Sequence, residues 1–178
     1  MANKVEMVTF RGKVESRDAA CTRLSNSGDA VVVERGKPRL LILRCPCGCG
    51  DDLIINLDRR AGAAWHLYQK RKGITLFPSY WRDDKCRSHF ILWSNHIYWC
   101  RGLESEESDA WQVSLEIEDR IYSALSDEWF MSYERLAEQL DIIPWEALQA
   151  CRQLAVKGKA IVDKWPHSGN YKRIMNCY

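Results

Sequence analysis

The sequence lacks the features that would give it a membrane or secretory address. No apolar run approaches the roughly 18 residues that a bilayer span requires. The opening stretch MANKVEMVTFRGKVE carries no apolar core of a signal peptide. These absences set a soluble, cytoplasmic protein with no membrane partner as the expectation. Familiar catalytic signatures are missing too: there is no His-Glu-x-x-His, no phosphate-cradling Gly-rich loop and no Ser/His/Asp pattern. The regular series of ligand pairs that a RING cross-brace needs is also lacking, and no internal repeat is visible.

What is there suffices for a folded protein. The 178 residues are 46% hydrophobic and 28% charged with eight Trp, which closes a core and excludes a disordered tail. That length holds one large or two small domains. Residues 1–103 carry 18 Lys+Arg against 10 Asp+Glu, whereas residues 111–178 carry 8 against 10, so the front is basic and the back mildly acidic. Between them, residues 104–110 (ESEESDA) have four acids and no base, and their like charges favour an extended linker.

The fold class expected is α+β. Residues 1–103 read as a small, mostly-β metal-binding domain, with VVVE and LLILR joined by Arg35-Gly36-Lys37-Pro38 as one hairpin. LIINL continues the sheet, HFILW and HIYWC form a second hairpin around Ser94-Asn95, and AAWHLYQKRKG at 63–73 reads as one interrupting helix. Residues 111–178 read as three amphipathic helices and a hairpin, with Ser132 as an N-cap and Pro144 in a first helical turn. That order resembles a winged helix-turn-helix domain. Trp65, Trp81, Trp93 and Trp99 are assigned to the β-core, and Trp111, Trp129, Trp145 and Trp165 to the helical part, with Trp145 a partner anchor if exposed.

The most specific feature is Cys45-Pro-Cys-Gly-Cys-Gly50 followed by Cys86-Arg-Ser-His89. Eight Cys without an export signal argue for metal or thiol chemistry rather than a disulfide framework. Two loops offering thiolate and imidazole suit a tetrahedral zinc, so two or three of Cys45, Cys47 and Cys49 are expected to join Cys86 and His89. Cys-x-Cys facing Cys-x-x-His also resembles the two-loop layout of Rieske iron–sulfur domains. Cys stands here where those domains have their first His, which favours one zinc ion over iron. Cys100 is read as a buried small hydrophobe and His96 as a turn residue.

CPCGCG, TLFPSYW, CRSHFILW and IYWC together resemble a bacterial family with Cys-Pro-Cys-Gly-Cys-Gly, a Pro-Ser step and Cys-x-Ser-His-Phe. Such genes lie near prokaryotic ubiquitin-like proteins, ThiF-type adenylating enzymes and ubiquitin-conjugating-enzyme-like proteins. The resemblance covers residues 40–100 and implies a zinc-binding adaptor or ligase-like accessory protein. Its partner would be a ubiquitin-like modifier or the modifier's carrier enzyme. Two alternatives stand beside it. One is a DNA-binding regulator using Glu146, Gln149, Arg152, Gln153 and Lys157 with Lys164, Lys172 and Arg173, disfavoured by the acidic balance of that half. The other is a thiol or zinc-dependent enzyme with Cys45 or Cys100 as a spare sulfur.

Overall fold

Two runs of β-branched and Leu residues meeting at a glycine start the first sheet. In a computed structural model describing residues 4–71, 73–100, 113–164 and 169–174, β1 is Thr9–Val14, β2 Asp29–Arg35, β3 Lys37–Arg44 and β4 Asp52–Asn56. β2 and β3 form the hairpin expected from the sequence, with Gly36 at its tip at φ +71°. β4 pairs antiparallel with β3, and β1 adds parallel to β2. Alternation then sorts the side chains. Ala30, Val32, Leu41, Leu43, Leu53 and Ile55 face one core, while Val31, Val33 and Ile42 pack on Ala20 and Leu24 around helix α1 (Arg17–Cys21).

The helix expected over residues 63–73 is corrected: β5 (His66–Lys70) pairs antiparallel with β6 (Gly73–Phe77) there. Trp65 and Leu67 both reach the main core, a spacing of two rather than of three or four, and Leu67 sits opposite the buried Leu76. Tertiary pairing overrides the helical spacing. Gly73, at φ +129°, has no room for a Cβ, which would lie 2.5 Å from the Asn95 side chain. Asn95 Oδ1 in turn accepts the Ile74 N–H at 2.8 Å, tying β6 to the next turn.

That turn belongs to the second expected hairpin. β8 (His89–Trp93) and β9 (His96–Trp99) are joined by Ser94 and Asn95 with φ of +49° and +67°, the left-handed pair of a tight hairpin. β7 (Tyr80–Trp81) completes this three-stranded sheet against β8. Phe90, Leu92 and Ile97 share one core with Ile74, Leu76 and the first sheet's Leu41, Leu43 and Leu53. Each such buried side chain contributes about 1.5–3 kcal/mol. Trp81 is not part of that core: it is 67% exposed.

The chain divides into units at residues 1–105 and 106–178. The expected acidic linker at 104–110 lies outside the described residues. In the second unit the three expected helices are α2 (Leu115–Ala124), α3 (Tyr133–Leu140) and α4 (Pro144–Val156). Strands β10 (Met131–Ser132), β11 (Ala160–Val162) and β12 (Asn170–Arg173) pair in the order β10-β12-β11. Ser132 Oγ accepts the Arg135 N–H at 3.2 Å and Pro144 opens α4, as their chemistry requires. Ile121, Leu125, Leu136, Ala150, Cys151 and Leu154 form its core. Trp145 is buried rather than an exposed anchor, and Trp129 is exposed rather than packed. No helix among the described residues is long and apolar enough to cross a membrane.

Candidate functional site

The two cysteine loops sit on the turns that the sheets leave at one end. The first follows β3, where the buried Cys45 donates its N–H to Asp51 O at 2.8 Å and Gly48 and Gly50 take left-handed φ of +84° and +82°. Only glycine adopts those angles freely, so the loop folds tightly enough to bring three thiols to one side. The second loop joins β7 to β8 and is closed by Arg82 N–H on Ser88 O at 2.9 Å. Lys85 and Arg87 flank Cys86 with φ of +45° and +49°, conformations that need outside support. Asp51 supplies some of it, bridging the loops through Arg82 at 3.0 Å and Lys85 at 3.1 Å.

Cys45, Cys47, Cys49 and Cys86 bring their sulfurs within 4.8 Å of one another, and all four are free thiols. Cys45 Sγ lies 3.3 Å from Cys47 Sγ and 3.8 Å from Cys86 Sγ. A tetrahedron with metal–sulfur bonds of about 2.3 Å places sulfurs about 3.8 Å apart, so the donor set fits a four-thiolate metal ion. The electrostatics differ from one sulfur to the next. Burial pushes the Cys45 and Cys49 thiols up. Burial also opposes ionisation of Cys86, but hydrogen bonds from the Ser88 hydroxyl and backbone, and from Cys47 and Cys45, outweigh it and bring Cys86 down to about 6. Arg82 Nη1 stands 3.9 Å from the same sulfur. Cys86 is thus the sulfur best prepared to meet a divalent cation, whose binding would displace the remaining protons.

His89, the fifth candidate ligand read from the sequence, is not in this group; its Nε2 lies 3.2 Å from Ser79 Oγ. Strand alternation explains the split. Ser88 is buried with its hydroxyl 3.2 Å from Cys86 Sγ and 3.6 Å from Cys45 Sγ, so the next residue of the chain points elsewhere. His89 is opposite Trp81 across β7 and β8, and the two rings stack at 5.8 Å. Ser79 follows the cis Phe77-Pro78 bond, and its carbonyl accepts the Trp65 indole N–H at 3.3 Å. Among the described residues no carboxylate forms an ion pair with His89.

Ser79 is the candidate residue that sequence reasoning missed. Nothing local marks it beyond the Pro-Ser step, because its partner stands ten positions away and meets it only through the pairing of β7 with β8. The remaining candidates are set apart. Cys100 is half-buried with its thiol pushed up by burial. His96 Nδ1 lies 3.1 Å from Ser94 O within the turn.

A family model described as bacterial ubiquitination-like system serine protease (BubE) matches residues 15–100. The matched span holds both cysteine loops, Ser79 and His89. No curated protein and no solved structure matches this chain. The similarity to BubE supports a role in a bacterial ubiquitination-like system, with protein partners.

Proposed function

We propose that the first unit is a serine hydrolase of a bacterial ubiquitin-like system, with Ser79 as nucleophile and His89 as general base. The single observation that carries this reading is the 3.2 Å approach of Ser79 Oγ to His89 Nε2, outside the thiol cluster. The description of the BubE model as a serine protease agrees with it.

In the reaction, Ser79 Oγ bonds to the scissile carbonyl carbon while its proton passes to His89 Nε2. The tetrahedral intermediate collapses as the imidazolium returns that proton to the leaving amine or alcohol, leaving an acyl group on Ser79. Water, deprotonated by the same nitrogen, then attacks the acyl carbon, and the proton goes back to Ser79 Oγ. The net change is hydrolysis, and nothing is oxidised or reduced. Trp81 holds one face of the imidazole, the two rings stacking at 5.8 Å.

Cys45, Cys47, Cys49 and Cys86 would hold one zinc ion. Four thiolates would leave no open position, so these cysteines would use the ion to brace the two loops rather than to supply Lewis-acid chemistry. Through Ser88 this brace fixes the start of β8, and so the position of His89. Closely spaced free thiols persist best where the medium is reducing, which supports a cytoplasmic location.

For the second unit we propose a winged helix used for protein contact, the adaptor part of the molecule. Its order of helix, strand, two helices and two strands supports the first point. The state of its would-be DNA-reading residues supports the second. Gln149 is buried, the Lys157 ammonium is 2.6 Å from Glu118, and the Glu146 carboxylate accepts the Ile143 N–H at 3.3 Å.

The test uses a ubiquitin-like modifier extended at its C-terminus, with cleavage followed by mass. Wild type is expected to release the extension, and Ser79→Ala and His89→Ala to lose that activity while keeping one equivalent of zinc. Loss of zinc from His89→Ala would return His89 to the metal and overturn the assignment.

A further inference from the structure

Beside Ser79 lies a surface cavity of about 400 Å³ that the proposed chemistry does not use, walled by Lys37, Leu57, Asp58, Arg60, Trp65 and His66. Trp65 joins the two places. One part of its side chain lines the cavity, while its Nε1–H is bonded to the Ser79 carbonyl at 3.3 Å and its ring packs 5.7 Å from Tyr80. Trp65 therefore links the wall of the cavity to the backbone of the Ser79 residue.

The charge of the rim is one-sided. Asp58 is engaged by both Arg39 and Arg60, which leaves no free carboxylate there. Arg59 lies against His66, and Lys37 makes no ion pair among the described residues. Lys37 and Arg60 thus line the cavity, with Arg39 and Arg59 held against its lining residues Asp58 and His66. Leu57 and the Trp65 face supply an apolar floor, the usual composition of a peptide subsite.

We infer that this cavity is a specificity subsite for an acidic side chain carried by the substrate peptide near the bond that Ser79 attacks. The inference rests on Ser79 being the nucleophile. Lys37 and Arg59 meet the incoming carboxylate, and the Trp65 face carries its aliphatic stem. Because these cations are at the surface, the preference weakens as salt rises.

The test is competition against labelling of Ser79 by a fluorophosphonate. An acetylated tetrapeptide with two glutamates is compared with its counterpart with two lysines. At low salt the acidic peptide is expected to protect Ser79 at about tenfold lower concentration, since each exposed charge pair contributes up to about fivefold. Lys37→Glu/Arg59→Glu should cancel that difference with the labelling rate unchanged in the absence of peptide. Equal protection by both peptides, or an acidic preference that survives the double substitution, overturns the subsite while leaving Ser79 as nucleophile. Failure of wild-type Ser79 to react overturns the hydrolase reading, and the subsite with it.

Discussion

Replacing Ser88 by Ala should weaken the metal site without disturbing the core around it. Ser88 is 3% exposed, and its hydroxyl is 3.2 Å from Cys86 Sγ and 3.6 Å from Cys45 Sγ. It is the protein's main device for keeping Cys86 ionised, since burial alone drives that thiol the other way. A hydrogen bond to a charged partner contributes about 1.5–3 kcal/mol, which corresponds to about a ten- to hundredfold loss of zinc affinity. Competition with a chromophoric chelator at pH 7 measures this directly. The removed oxygen is small and the neighbouring Phe90 and Leu92 stay packed, so the zinc-loaded variant should remain folded by circular dichroism. Unchanged affinity in a folded Ser88→Ala protein would refute the claim that Ser88 tunes the sulfurs.

Three further outcomes follow from other parts of the molecule. Burial of Asp29 opposes its ionisation, but the N–H groups of Asn26 and Ser25 and the Arg11 guanidinium outweigh it and hold the carboxyl below its ordinary 3.8. Its contribution is therefore fully present above about pH 4 and lost as pH falls below that, and Asp29→Asn should flatten the acid side of a thermal-melting profile. In the second unit Glu118 is 5% exposed and its partner Lys157 46%. Lys157→Ala strands a buried carboxylate and should cost about 3 kcal/mol in urea unfolding, more than Glu118→Gln, which releases a lysine that water can reach. Gly73→Ala should destabilise by well over 1 kcal/mol in the same assay, since φ of +129° and the Asn95 side chain both exclude a Cβ.

Much of the fold was legible because local chemistry and tertiary pairing agree. Gly36 and Ser94-Asn95 mark their hairpins by the angles those turns need, and Ser132 and Pro144 mark helix starts by their hydrogen-bonding capacity. Residues 66–70 misled because Trp65, His66, Leu67 and Tyr68 satisfy a helical stripe nearly as well as an alternating one, and only the pairing with β6 decides between them. The cysteines could be found by spacing since ligands cluster in sequence. His89 shares that spacing yet sits on the other side of the strand, a matter of β-alternation invisible in a Cys-x-x-His pattern. Ser79 has no local signature beyond the Pro-Ser step, because it meets His89 only through the pairing of β7 with β8.

The most direct measurement of the central claim is the site and rate of fluorophosphonate labelling of the zinc-loaded protein, located by peptide mass spectrometry. The account predicts a single adduct on Ser79, slowed at least about a hundredfold by His89→Ala with zinc content unchanged. A folded, zinc-loaded protein in which Ser79 stays unmodified, or reacts equally fast without His89, would contradict it.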